Sequence, residues 1–340
     1  AINLPGLGEI GAQVSLRAAD LRGSALSLRA DATGVGAEWL ARIVEAGVDA
    51  RPSANRGEAA RGGAAPLPGL GPDLRLAVAV EFDGDLADAS AADWKGTVLL
   101  RRESGDLVLP MGQGGEVTRA GLESLVASAT IDARALGMVL DVAGTNIGRI
   151  GMEARARLVP GDEPVWSSAA LARSPLDGRL DVATSAVGWV APLPGASWQV
   201  DGALGARLRL AGTLARPRAD GVVTGSGLTA TEPAMGLRLA NGVLAAEFAG
   251  DRIDVKLLRF ESGEGSVAVS GQLQAPPGPL ASETRIVLDR LAIPLGPGQG
   301  VILSGSTVAS LREGALSLTG RLVAEEGTIA LGGQGAGDPG

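Results

Sequence analysis

From Leu74 onward, apolar residues recur at every second position. Leu74, Leu76, Val78, Val80 and Phe82 alternate with Arg75, Ala77, Ala79 and Glu81, and Leu204, Ala206, Leu208 and Leu210 alternate with Arg207 and Arg209. The same spacing holds for Ile253, Val255 and Leu257 around Asp254 and Lys256, and for Val267 and Val269 around Ser266, Ala268 and Ser270. It returns near the end, where Leu316, Leu318 and Leu322 stand among Ser317, Thr319 and Arg321. Period two is the spacing of a strand with one apolar and one polar face. Parallel sheets covered on both sides read as continuous apolar runs, so this alternation predicts antiparallel strands, roughly eighteen of them. Asp177-Gly178, Asn241-Gly242, Asp251-Arg252, Glu313-Gly314 and Glu326-Gly327 are read as turns between strands.

The alternation is interrupted once at length. Residues 34–48 place Trp39, Leu40, Ile43 and Val44 at helical spacing, which predicts one short amphipathic helix. Residues 49–73 are rich in Gly, Pro and Ala and read as a flexible loop, as does the tail 332–340. The chain therefore divides into first strands (1–33), helix and loop (34–73), a long sheet (74–331) and a tail (332–340).

One repeat carries more information than the turns. The pattern apolar-x-apolar-x-Gly-x-Leu occurs at Leu208 to Leu214, Val267 to Leu273 and Leu316 to Leu322, with Gly212, Gly271 and Gly320 in slots of the apolar face. Glycine within a strand marks a bend, a bulge or a close approach of backbone. Recurring at one slot, it predicts a sheet that curls towards its apolar side, with Arg216-Pro217-Arg218 ending one of its strands at the rim. A one-sided sheet must bury that face against helices, another sheet or itself. The predicted fold is all-β: an elongated, curled antiparallel sheet, a β-taco, with a hydrophobic concave groove and one short helix.

Composition sharpens this picture. Apolar residues make up 45% of the 340, yet there are five Trp, three Phe and no Tyr, so the buried surface is aliphatic. The 52 glycines and 19 prolines punctuate alternating segments and form no low-complexity block. A net charge of −8 without a basic stripe argues against a nucleic-acid partner. The absence of both Cys and His removes thiolate chemistry, Ser-His-Asp arrangements and the commonest metal ligand. The acidic run Asp83, Asp85 and Asp88 lacks the further ligands of a calcium loop and reads as a solvated turn. No catalytic residue, metal site or cofactor is expected. Arg207, Arg209, Arg216 and Arg218 read as solubilising groups.

The residues also carry a family resemblance. The run Leu208 to Gly225, then Met235-Gly236-Leu237-Arg238-Leu239, Asn241-Gly242 and Phe260 to Leu273, is similar to the C-terminal region of TamB proteins. Trp94-Lys-Gly-Thr-Val and Gly327-Thr-Ile-Ala-Leu resemble that family too. The likeness covers roughly Leu74 to Leu331. It implies part of an AsmA-like, bridge-type lipid transfer protein, anchored in the inner membrane of a diderm bacterium. Such a protein crosses the periplasm as a groove for phospholipid and serves outer-membrane biogenesis and autotransporter assembly with its Omp85-type partner TamA. This chain carries neither the membrane anchor nor the extreme C-terminal segment that engages TamA, so direct contact with that partner falls outside the expectation for it. The expected groove lining is Leu208, Leu210, Leu214, Leu237, Leu239, Leu244, Phe248, Ile253, Val255, Leu257, Val267, Val269, Leu273, Leu316, Leu318 and Leu322. Two other readings stay open: a scaffold or chaperone whose exposed strand pairs with substrate strands, and a structural β-solenoid or passenger domain with a filled core.

Overall fold

The computed structural model describes residues 2–4, 8–18, 24–36, 71–85, 93–111, 116–159, 167–189, 198–274, 281–296, 299–312 and 315–328. Among these the expected all-β fold is observed, with nineteen strands. They run β1 (Ile2–Leu4), β2 (Gly8–Ala18), β3 (Ser24–Gly36), β4 (Arg75–Asp85), β5 (Lys95–Ser104), β6 (Val108–Met111), β7 (Glu116–Arg119), β8 (Leu122–Asp132), β9 (Ala135–Gly144), β10 (Gly148–Arg157), β11 (Leu176–Thr184), β12 (Gln199–Thr213) and β13 (Arg216–Glu232). The series continues through β14 (Leu237–Gly250), β15 (Arg252–Ser262), β16 (Gly265–Gln274), β17 (Ala281–Gly296), β18 (Gln299–Arg312) and β19 (Ala315–Thr328). Strands β6 and β7 form a two-stranded ribbon of their own; the others belong to one large antiparallel sheet that is not closed.

The chain folds as two compact units, Ala1–Trp189 with Gly205–Gly221, and Val190–Leu204 with Val222–Gly340. In the first, each sheet strand pairs with its predecessor in sequence, the ribbon being inserted between the paired β5 and β8. In the second, β14 to β19 pair in the same consecutive manner. The polar faces carry cross-strand ion pairs at directly opposed positions, Arg29–Glu81 at 3.0 Å and Arg179–Glu153 at 2.9 Å. Both pairs are well exposed, so each adds little stability and mainly keeps that face in water.

The turns differ from the sequence reading. Asn241-Gly242 lies inside β14, where Asn241 has φ 51° and both residues oppose Phe260 as a bulge. Asp177-Gly178 lies within β11 and Glu326-Gly327 within β19; residues 313–314 are outside the described ones. The two-residue hairpin loops are instead Ala133-Arg134, Gly250-Asp251 and Gly263-Glu264. Leu214-Ala215 make the turn between β12 and β13, so Arg216-Pro217-Arg218 open a strand rather than end one.

The helix expected at residues 34–48 and the loop and tail expected at 49–73 and 332–340 fall almost wholly outside the described residues; Gly34 to Gly36 complete β3. The one described α-helix, α1 (Ser168–Arg173), lies between β10 and β11. The Ser167 hydroxyl accepts from the Ala170 amide at 3.1 Å, a standard N-cap, and the buried Ser174 hydroxyl donates to the Ala170 carbonyl at 3.1 Å.

The ribbon β6–β7 is held by a buried carboxylate. Asp106 Oδ1 accepts the amides of Leu107 (2.8 Å) and Leu122 (2.9 Å), and Oδ2 accepts that of Gly121 (3.0 Å). Arg119 of β7 pairs with Asp73 at 2.8 Å, and its hydrogen bond holds the Asp73 carboxyl below its ordinary value of 3.8. That pair's contribution is therefore complete above the ordinary value and is lost as the pH falls through the lower, folded one.

Candidate functional site

The apolar face is the candidate site, and strand register builds it. In the first unit, Leu180, Met152, Leu140, Ala127, Leu100 and Val78 stand directly opposite one another on six successive sheet strands, forming one row across β11 to β4. A parallel row runs through Leu176, Ala156, Leu136, Ile131, Gly96 and Phe82. Side chains on one face of directly opposed positions are in contact range, so such rows form continuous stripes of hydrocarbon.

Each rim of this face is covered. At one end the ribbon contributes Leu109 to a buried cluster with Leu74, Leu76, Ala120, Leu122, Val142 and Ile147, and β6 reaches the 3-10 turn Val187–Trp189 beyond β11. At the other end Leu158 is buried among Trp94, Ile131 and Leu171 of α1, while Phe82 and Trp94 meet edge to face with centroids 5.2 Å apart. Between these rims the row residues are half-buried, apart from Ala156, which is buried.

In the second unit the rows are Leu244, Leu258, Val269, Ile286, Thr307 and Gly320; Ala246, Val255, Gly271, Thr284, Ala309 and Leu318; and Phe248, Ile253, Leu273, Ser282, Leu311 and Leu316. Two threonines on this face do not break its character. Thr284 donates its hydroxyl to the Ala309 carbonyl at 3.3 Å and Thr307 to the Thr319 carbonyl at 3.2 Å, which ties the polar atom to a neighbouring strand. A hydroxyl satisfied in that way leaves the methyl as the exposed chemistry.

The three repeat glycines sit where a side chain has no room. A Cβ on Gly271 would strike the Glu283 carbonyl oxygen and lie 2.6 Å from Thr284 Cα; on Gly320 it would strike the Ser306 oxygen; on Gly212 it would approach the Arg216 oxygen. Gly271 also has φ 152°. Neighbouring strands are thus drawn closer than any Cβ allows, and bulges bend β14, β15, β17 and β19 nearby. Gly271→Ala is expected to cost about 2 kcal/mol, read as a lowered midpoint in urea unfolding of the second unit. An unchanged midpoint would show that the close approach relaxes freely.

The expected lining residues fall into five groups. Ile253, Val255, Val269, Leu273, Leu244 and Phe248 are half-buried members of the rows, Val267 is half-buried opposite Phe260 and Leu288, and Leu237 and Leu239 are buried outright. Leu208 and Leu210 lie in the first unit, where the Pro175–Thr213 bridge and the Arg209–Asp177 ion pair put the arginine on the polar face and these leucines opposite it; Leu214 is in the β12–β13 turn. Leu257 leaves the series: Lys256 and Leu257 form a bulge, Leu257 is 40% exposed, and Leu258 takes the apolar slot opposite Leu244 and Val269. Leu316, Leu318 and Leu322 lie on the terminal strand β19 and are 67, 65 and 47% exposed. The expected lining left out Leu258, Ile286 and the row from Val78 to Leu180, although Val78 stood in the apolar alternation read from the sequence. The signal for the latter was present, since Leu136, Met138, Leu140 and Val142 alternate with Gly137, Val139 and Asp141.

No group of His, Cys, Asp or Glu that could hold a metal is found among the described residues, and none of their helices is long and apolar enough to cross a membrane. Asp83 belongs to β4, and residues 86–92 lie outside the described ones. Fold and face together define an open, one-sided antiparallel sheet with an aliphatic surface. Comparison of the chain with protein-family models, curated proteins and solved structures returns no match in any of the three.

Proposed function

We propose that this chain is a lipid-carrying segment of a bridge-type transfer protein resembling the TamB family. Its one-sided sheet would receive phospholipid acyl chains while headgroups stay in water. The observation that carries the reading is the set of hydrocarbon rows running across successive strands, most of their side chains half-buried and their two threonines hydrogen-bonded to neighbouring strands. A closed core would bury these residues, and a soluble surface would not carry them.

The energetics suit transport. Each methylene moved from water to hydrocarbon gains about 0.8 kcal/mol, so a sixteen-carbon chain gains on the order of 12 kcal/mol over water. Against a bilayer the difference is near zero, because both hosts are aliphatic. An even surface of Leu, Val, Ile and Ala offers no deep trap along the way. On the same reading the parent protein sits in the periplasm, anchored in the inner membrane, and cooperates with an Omp85-type partner of the TamA kind.

Native mass spectrometry of the purified chain tests this directly. Co-purifying phospholipid that survives buffer exchange and is displaced by added lipid vesicles is the expected result. A lipid-free spectrum, together with photo-crosslinks from Val269 that capture only polypeptide, would overturn the lipid reading in favour of a protein scaffold.

A further inference from the structure

A single charge stands in the hydrocarbon rows of the first unit. Next to the row from Val78 to Leu180, on the ribbon side, Leu125, Val142, Ile150 and Val182 continue the apolar face across β8 to β11. On β5 the same slot belongs to Arg102, two residues after Leu100 and directly opposite the buried Leu76 of β4. Among the described residues, Arg102 is the one charged member of these rows.

Arg102 is half-buried, and its protein contacts are neutral. Its Nε donates to the Gly105 carbonyl at 2.8 Å and its Nη1 to the Glu123 carbonyl at 3.4 Å. Among the described residues no carboxylate pairs with it, and its Nη2 has no acceptor. The Asp106 carboxylate, next in sequence to Gly105, is taken up by three backbone amides, and that of Asp73 pairs with Arg119. A cation partly withdrawn from water and met only by carbonyl dipoles is stabilised further by an anion. The planar guanidinium suits phosphate, because parallel N–H groups can meet two of its oxygens at once.

The place of Arg102 on the strand fits one end of an acyl lipid. Along β5 from Arg102 to Gly96 the face extends about 20 Å, the scale of an extended sixteen-carbon chain. The far end is closed by Phe82, Trp94 and Leu158, none of them charged. This strip is therefore cationic at the ribbon and apolar at α1, which matches a lipid lying along the strands with its head at the ribbon.

We propose that Arg102 anchors the phosphate of a bound phospholipid and sets which way the lipid lies on the face. The inference rests on the lipid reading and adds a charge requirement to it. A lipid with the same acyl chains and no phosphate loses this contact.

Mixed vesicles of phosphatidylglycerol and diacylglycerol with identical acyl chains, offered to the purified chain, provide the readout: native mass spectrometry measures the ratio retained. Arg102→Gln is expected to lower the phosphatidylglycerol-to-diacylglycerol ratio roughly tenfold, through loss of a charge-assisted hydrogen bond. Arg102→Lys, which keeps the charge, should recover part of that loss. Arg101→Gln makes the same charge change at the exposed neighbouring position on the other side of β5 and should leave the ratio at the wild-type value. Excess inorganic phosphate should not alter the wild-type ratio, because the acyl chains hold the head in place; collapse of the ratio would assign the site to free phosphate and overturn the proposal. An unchanged ratio in Arg102→Gln, an equal fall in Arg101→Gln, or loss of both lipids from Arg102→Gln alone would also overturn it, the last by marking the arginine as a structural tie. Retention of neither lipid by the wild type would instead overturn the lipid reading, and this inference with it.

Discussion

Val269→Asp is expected to reduce co-purifying phospholipid at least tenfold while leaving the thermal midpoint within a few degrees of wild type. Val269 is half-buried in the row with Leu244, Leu258 and Ile286. In the empty sheet an aspartate there can keep its carboxylate in water, so the fold loses little. With acyl chains laid over the row, the same carboxylate must be desolvated or neutralised, a cost of several kcal/mol. Every 1.4 kcal/mol is tenfold in occupancy. Ser270→Asp is the matched control, because Ser270 faces the other side of the sheet opposite Arg285 and should change neither quantity. Equal lipid in the two variants would sink the proposed role of the face; loss of folding in Val269→Asp alone would point to a filled core.

The second large effect is on stability. Asp106→Ala removes the acceptor of three backbone amides, at Leu107, Gly121 and Leu122, the last of them buried. Leaving a buried donor without a partner costs about 1–3 kcal/mol each, partly recovered where water can enter, so a total near 3 kcal/mol is expected. For a unit of this size that corresponds to a fall of roughly 10 °C in its melting temperature. Hydrogen exchange localises the effect: the Gly121 and Leu122 amides should lose protection first, and β16 in the other unit should be unaffected. A uniform loss across both units, or none, would contradict the assignment of Asp106 as the anchor of the ribbon.

The fold class was legible because alternation is a local signal that register then propagates. Once Leu140 faces one side, pairing carries that choice to Met152 and Ala127 without further information. The close-approach glycines were legible for the same reason, since Gly212, Gly271 and Gly320 each interrupt an otherwise apolar series. Bulges were not. Between Val255 and Leu258 the series slips by one residue, and the doubled Leu257-Leu258 offers a leucine to either face, so composition alone cannot say which is turned in. Asn241-Gly242 misled in the opposite direction: its tolerance of positive φ serves a bulge as well as a hairpin. The ribbon escaped notice because two four-residue strands carry too few alternations to register, and its anchor is a carboxylate whose partners are backbone amides fifteen or more residues away for two of its three bonds.

The consecutive pairing of strands has a kinetic consequence. Almost every sheet contact in each unit joins segments adjacent in the chain, the inserted ribbon being the main detour. Such low contact order favours fast folding, and stability that sums over neighbours lets structure nucleate at any hairpin and spread outward. A chain of this kind can fold strand by strand as it emerges from a ribosome or a membrane pore, without waiting for its far end. Its unfolding should correspondingly begin at the outermost strands and proceed inward, so that a single melting temperature would summarise a graded process.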